Sequence, residues 1–370
     1  MLYAARKSTN IIKQNFIPKV TLVVATYNEG KVIQRKLSNI SELQYPKNAL
    51  QVIVVDSGSV DNTLELVKQF SKNHKNLSIN LLAQPKREGK ASALNYCRPY
   101  CKGDIIVLTD ADVLFSKDAL GKLVANFADK SVGAVSGKIT VLNPGQSTST
   151  KFEKSYRSIF DVLRDGESNL DSTPIFNGPI SAFRKELMSD LKLNTIADDT
   201  ELSLRVREKG WKAVYDSQAI AYEYTPPNFK SRIKQKMRRA QGIIQSFWWH
   251  RRMIFNSKYG KYGLIIFPSE FFMHVISPQL ILAMFVIGIL GMILSIDFAI
   301  RLGVLMLISI VATISILFTS KYSGNDSFNP VEMIAMFLNS QVSLTIGLLL
   351  LISRKKNYSW EKIEDVRKLD

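Results

Sequence analysis

Four short runs of apolar residues within the first 110 positions constrain this chain more than any other feature. They are VTLVVAT (20–26), QVIVVD (51–56), LSINLLA (77–83) and DIIVLTD (104–110). Helical patterns separate them, reaching to about residue 43, then from about 61 to 72, then near 90–100. Continuous apolar strands alternating with helices predict an α/β unit, a Rossmann-like and mostly parallel sheet with helices on both faces. Ligands of such sheets bind beyond the carboxyl ends of the strands. That rule puts three polar clusters on one rim, at residues 26–29, 56–61 and 110–112.

Neither GxGxxG after the first strand nor GxxxxGK[ST] anywhere is present, which argues against an ordinary dehydrogenase or P-loop ATPase. Acids stand where those folds carry glycines. Asp110 and Asp112 are separated by one alanine after an apolar strand, and like charges so close repel. A turn after the strand would let both face one hard cation, Mg²⁺ or Mn²⁺, bridged to a diphosphate. The bland alternative is a solvated turn with a helix cap, which accounts for Asp112 and leaves Asp110 unexplained. Asp61 reads equally well as a cap for the following helix. Lys90, beside Gly89, is either a phosphate contact or a solvated lysine.

The chain is 46% hydrophobic yet carries a formal charge of +17, and both features are segregated. Three apolar stretches, 275–296, 298–319 and 331–353, each have 22 or 23 residues. As helices they would run about 33–35 Å, enough for a hydrocarbon core of roughly 30 Å. Residues 227–269 contain no acid and ten lysines and arginines. Beside apolar spans, such a run reads as a collar facing anionic lipid rather than as a nucleic-acid surface. Residues 263–277 read as an interfacial helix leading into the first span. Cys97 and Cys101 fit a reducing compartment and small core positions. No leader pattern is visible at the start, so the expected location is the cell membrane, multi-pass, with the catalytic unit cytoplasmic.

Seven segments, in order, resemble the family 2 glycosyltransferases, membrane-anchored enzymes of GT-A fold, and within them the cellulose and hyaluronan synthase-like branch. They are ATYNEG (25–30), VVDSGSVDNT (54–63), EGKASALN (88–95), TDAD (109–112), FNGPISAFRKELM (176–188), ADDTEL (197–202) and QKMRR (235–239). The resemblance covers about residues 20–250. It implies a metal-dependent nucleotide-sugar donor. Thr26, Tyr27, Glu29 and Asp56 would lie around the nucleoside, and Lys90, Asp110, Gln235, Arg238 and Arg239 around the diphosphate, with Asp110 and Asp112 on the metal. Asp199 is the candidate general base, since a sugar hydroxyl is a poor nucleophile until its proton is removed. One base opposite the leaving group implies inversion. Asp198 stands where the family usually has glutamate. Arg239 stands where a tryptophan that contacts the acceptor sugar is usual.

The resulting organisation is an extension (1–19), a GT-A catalytic domain (20–228), basic juxtamembrane helices (229–274), about three spans (275–353) and a basic tail (354–370). The expected reaction moves a sugar to a hydroxyl of a lipid-linked glycan or a polysaccharide. A polyprenyl phosphate acceptor is the alternative, although a phosphate is already ionised and needs no base. A nucleotidyltransferase or a non-catalytic membrane scaffold are the remaining rivals.

Overall fold

The computed structural model describes residues 16–293 and 330–353, with residues 11, 13, 303–305 and 308. Eight strands form one sheet: β1 (Val20–Thr26), β2 (Leu50–Ser57), β3 (Ser78–Gln84), β4 (Ile105–Asp110), β5 (Leu114–Phe115), β6 (Val132–Val141), β7 (Ser181–Arg184) and β8 (Lys212–Glu223). The helices that matter for function are α1 (Ile33–Ser41), α2 (Thr63–Asn73), α3 (Lys90–Cys97), α4 (Ala119–Ala125), α5 (Thr148–Leu170), α6 (Asp198–Glu208) and α7 (Phe229–Trp249). Two more follow, α8 (Tyr262–Gly291) and α9 (Pro330–Ile352).

The strand order is β3-β2-β1-β4-β7-β6-β8-β5. Its first half, β3-β2-β1-β4, is parallel throughout, as the four apolar runs predict. Alternate residues of these strands enter two separate cores, because successive strand side chains point to opposite faces. Leu22, Val24, Val52, Val54 and Val107 meet Ile33, Leu37 and Ile40 of α1. Val23, Ile53, Val55, Ile106 and Leu108 meet Ala93 and Leu94 of α3 and Leu202 of α6. The second half departs from the parallel pattern: β7 is antiparallel to β4 and to β6, while β8 runs parallel to β6 and antiparallel to β5. The sheet is therefore mixed. Cys97 and Cys101 are buried and unbridged, as expected of small core residues.

A third core joins α7 to α8. Phe247, Ile243 and Ile244 of α7 pack with Tyr262, Ile266, Phe267 and Phe271, and Leu344 of α9 closes the cluster. Residues 263–277 are thus not a separate surface helix: they continue unbroken into the apolar segment, through π-turns at Tyr262–Ile266 and Phe272–Ile276. The far side of α8 leaves Leu264, Phe272, Leu280, Phe285 and Ile287 exposed.

Of the three expected spans, the described residues contain one candidate. Among the described residues one helix, α8, with 30 residues, is long and apolar enough to cross a membrane by length and composition. Residues 337–352 of α9 form a shorter apolar helix, and Gln341 and Ser343 within it are buried against the protein. Most of 298–319 lies outside the described residues. A multi-pass arrangement is not supported.

Candidate active site

Strand register assembles the acidic rim. Thr26 pairs with Asp56 and Ala25 with Asp110, so the ends of β2 and β4 flank the end of β1. Asp56 is fully buried and held from three sides. Thr26 Oγ1 donates to its Oδ1 at 3.0 Å, Ser59 Oγ to the same oxygen at 2.5 Å, and the Ser59 amide to Oδ2 at 2.8 Å. Such a carboxylate is fixed in place before any ligand arrives. Tyr27 lies beside it with the Arg87 guanidinium 4.1 Å from its ring centre, a stacked pair that could wall a flat base. The Glu29 amide donates to Thr63 Oγ1 at 2.7 Å. Asp61 accepts from the amides of Thr63 and Gly30, each at 3.1 Å, at the start of α2.

Next to this pocket, four elements converge on a small cavity lined by Gly89, Lys90, Asp110, Asp198 and Arg238, among others. Lys90, the first residue of α3, places Nζ 2.9 Å from Asp110 Oδ1 and 3.4 Å from Asp198 Oδ2. Burial works against its charge, but Asp110 and Asp198 outweigh it and hold the ammonium firmly protonated. Asp199 sits in the first turn of α6, with Oδ1 accepting from the Thr200 amide at 2.7 Å. Burial, and then Asp198, pushes its pKa upward, against the opposing pull of Lys90. A carboxylate so tuned is a better proton acceptor than a solvated one. The half-buried Arg238 feels Asp110, Asp198, Asp199 and Asp112 together.

Asp112 lies in the turn that follows β4, as the two-carboxylate reading requires. The donor set fits a divalent cation that arrives with a diphosphate. Among the described residues no third His, Cys, Asp or Glu completes a cage made by protein alone. Mg²⁺-like ions commonly take only one or two carboxylates and complete their shell with phosphate oxygens and water.

Beneath this turn lies a residue that sequence reasoning missed. Lys36 of α1 is fully buried and donates to Thr109 Oγ1 at 2.8 Å and to the Val113 carbonyl at 2.5 Å, bracketing the TDAD turn. Burial pushes its pKa down to about 7, Asp110 and Asp112 acting in the opposite sense. The signal was present in the sequence: Lys36 shares the buried stripe of Ile33, Leu37 and Ile40. Arg87 carried no comparable signal.

Helix α7 fixes the loop that carries Asp198 and Asp199. Gln245 accepts from the Ile196 amide at 3.1 Å and donates to the Asn194 carbonyl at 3.0 Å. Gly242 allows the approach, since a Cβ there would lie 2.7 Å from Ala197 Cβ. On the opposite side a Cβ at Gly178 would stand 3.0 Å from Asp199 Oδ2. Two expected residues are not drawn into the acidic cavity. Gln235 accepts from Arg232 Nη1 at 2.6 Å, and Arg239 points to Asn177 Oδ1 at 3.4 Å. A wider cleft, lined by Arg98, Asp104 and Arg184 among others, opens at the opposite end of β4 and gathers none of these groups.

Residues 18–242 match the family model described as "Glycosyltransferase like family 2". The chain is 31% identical over 232 residues to the probable glycosyltransferase YdaM of Bacillus subtilis, covering 61% of this chain and 55% of the relative. It is 27% identical over 227 residues to the poly-beta-1,6-N-acetyl-D-glucosamine synthase of Staphylococcus aureus, covering 60% and 54%. It therefore spans about half the length of the curated relatives it matches. A solved structure, the mannosyltransferase PcManGT from Pyrobaculum calidifontis in complex with GDP-Man and Mn²⁺, superposes with a TM-score of 0.77 at 27% identity, covering 95% of this chain and 92% of that one. With the sheet order, the rim of acids and a family match over more than half of its length, the chain belongs to the family 2 glycosyltransferases and has the GT-A fold.

Proposed function

We propose that the protein is a membrane-bound, inverting glycosyltransferase. It moves a sugar from a nucleoside-diphosphate sugar to a hydroxyl of a lipid-linked glycan or polysaccharide at the cytoplasmic face of the membrane. The observation that carries this reading is the convergence of Lys90, Asp110, Asp198 and Arg238 around one cavity beside Asp56, with Asp199 next to Asp198 in the first turn of α6. The nucleoside lies between Asp56 and the Tyr27–Arg87 pair, with its diphosphate toward Lys90 and Arg238. Asp110 and Asp112 hold Mg²⁺ or Mn²⁺, which neutralises charge on the diphosphate when bound. Asp199 takes the proton of the acceptor hydroxyl as that oxygen attacks the anomeric carbon, and Lys90 and Arg238 stabilise the departing nucleoside diphosphate. Attack from the side opposite the leaving group inverts the configuration. The exposed apolar side of α8 and the acid-free stretch before it support the membrane attachment.

The complex of the structural neighbour makes GDP-mannose the first donor to try, with UDP sugars next. Calorimetric titration of detergent-purified protein with GDP, UDP and dTDP, each with and without Mn²⁺, tests the donor site. Metal-dependent binding of one nucleotide is expected. Absence of binding by all three in the presence of metal would overturn the reading.

A further inference from the structure

The basic run on α7 splits between two environments. Arg238 faces the acids of the donor cavity. Arg232, Lys236 and Arg239 follow the i, i+4, i+7 spacing of a single helical stripe, about 100° round from Arg238. That stripe faces α5, where Glu153, Arg157 and Arg164 share a face by i, i+4, i+11 spacing. Five cations thus lie in one layer between α5 and α7: Arg164 is 6% and Arg232 7% exposed, Arg157 and Lys236 are half-buried, and Arg239 is exposed.

Direct ion pairs do not balance them. Glu153 pairs with Arg157 at 2.8 Å and with Arg232, and Glu223 pairs with Arg157 at 2.7 Å. Arg164 and Arg239 instead converge on one neutral oxygen, Asn177 Oδ1, at 2.8 and 3.4 Å. Lys236 lies 4.9 Å from the ring centre of Tyr156. Two buried nitrogens, Arg164 Nε and Arg157 Nη1, have no hydrogen-bond partner. Burial, then the neighbouring guanidiniums, pushes the Lys236 pKa down to about 8. Asp199 and the Glu167–Glu270 pair act at longer range. Crowded cations with unused buried donors are costly unless an anion joins them.

Three features say which anion. Asn177, on which two arginines converge, adjoins Gly178, and Gly178 abuts Asp199. Tyr156 is hydrogen-bonded to Ser340 of α9, whose later residues are apolar. Arginine forks match phosphate oxygens. We infer that this layer binds the phosphate or diphosphate of a lipid-linked acceptor, with the lipid tail along α9 and the sugar hydroxyl reaching Asp199. The inference rests on the proposed function and deepens it. It also removes the conflict between a phosphate-bearing acceptor and a general base, because the phosphate anchors while a hydroxyl reacts.

The test is a binding titration of the full chain in detergent, with GDP and Mn²⁺ first added to fill the donor cavity. Farnesyl diphosphate is the probe, against farnesol, inorganic pyrophosphate and phosphatidylglycerol micelles. Farnesyl diphosphate is expected to bind at least about tenfold more tightly than any of the three. Lys236→Gln and Arg164→Gln should each weaken it by about tenfold or more. Melting curves show whether each variant is folded, and the wild-type ligand comparison stands without either. Equal binding of farnesol, or unchanged affinity in both variants, would overturn the inference. Equally tight pyrophosphate would make this a site for a soluble anion, and equally tight phosphatidylglycerol a general headgroup site; either result refutes an acceptor role. Failure of GDP to bind at the first step, with UDP and dTDP failing likewise, would instead refute the donor site.

Discussion

The two flanks of α7 present cations to opposite partners. On one flank Arg238 completes a cavity lined by Asp110 and Asp198, with Asp199 adjoining, where negative charge is in excess. On the other, Arg239 stands among Arg164, Arg157, Arg232 and Lys236, where positive charge is in excess. Adjacent residues of one helix are thereby assigned different work. A cavity of acids tempered by Lys90 suits a diphosphate that brings its own divalent cation. A layer of arginines suits an anion that arrives without one. The base, Asp199, lies at the seam between them.

The largest way to break this comparison is to remove the seam. Asp199→Asn should lower sugar transfer by about 10²- to 10⁴-fold, the usual contribution of a general base, while nucleotide affinity changes little. Steady-state transfer assays beside nucleotide calorimetry would show it. In the wild type the acid limb of the rate profile should lie above the ordinary carboxylate range, because burial and Asp198 raise the pKa of Asp199 and its base form is lost at a higher pH.

A smaller effect belongs to the donor flank alone. Lys36→Met leaves Thr109 and the Val113 carbonyl without the donor that fixes the turn between Asp110 and Asp112. Mn²⁺ activation should shift to about 10- to 100-fold higher metal concentration, as for other supports of a metal ligand. An unchanged Mn²⁺ activation curve would detach Lys36 from the site.

The smallest concerns how α7 is anchored. His250, just beyond its end, has Nε2 3.1 Å from Glu201 and Nδ1 2.8 Å from Glu208. Burial opposes its charge, yet the two glutamates push the pKa up to about 9. A pKa raised above the unfolded value adds stability that is complete below about pH 6.5 and is lost as pH rises through about 9. Melting temperature in detergent should fall across that window, and the fall should be blunted in His250→Gln.

The parallel half of the sheet and the rim it carries were legible because both are local. Asp56 and Asp110 end apolar runs, and a parallel sheet places all such ends together. Lys90 and Asp199 stand at helix starts, where position follows from the element. The antiparallel half was not legible, since β7 has four residues and its register is set by β4 and β6 rather than by its own pattern. The split of α7 was hidden for another reason. Hydrophobic periodicity separates a wet face from a dry one, and here both flanks are cationic and neither is uniformly wet or dry. The span expected at 331–353 carries polar residues, of which Gln341 and Ser343 pack against the protein.

Nucleotide affinity in Arg238→Ala and Arg239→Ala, measured by calorimetry with GDP or UDP and Mn²⁺, tests the division of α7 most directly. Loss of a charge-assisted contact to the diphosphate should weaken binding by about 10- to 100-fold in Arg238→Ala, whereas Arg239→Ala should stay within about threefold of the wild type. Equal losses in both variants, or a larger loss in Arg239→Ala, would contradict the account and place both arginines on the donor.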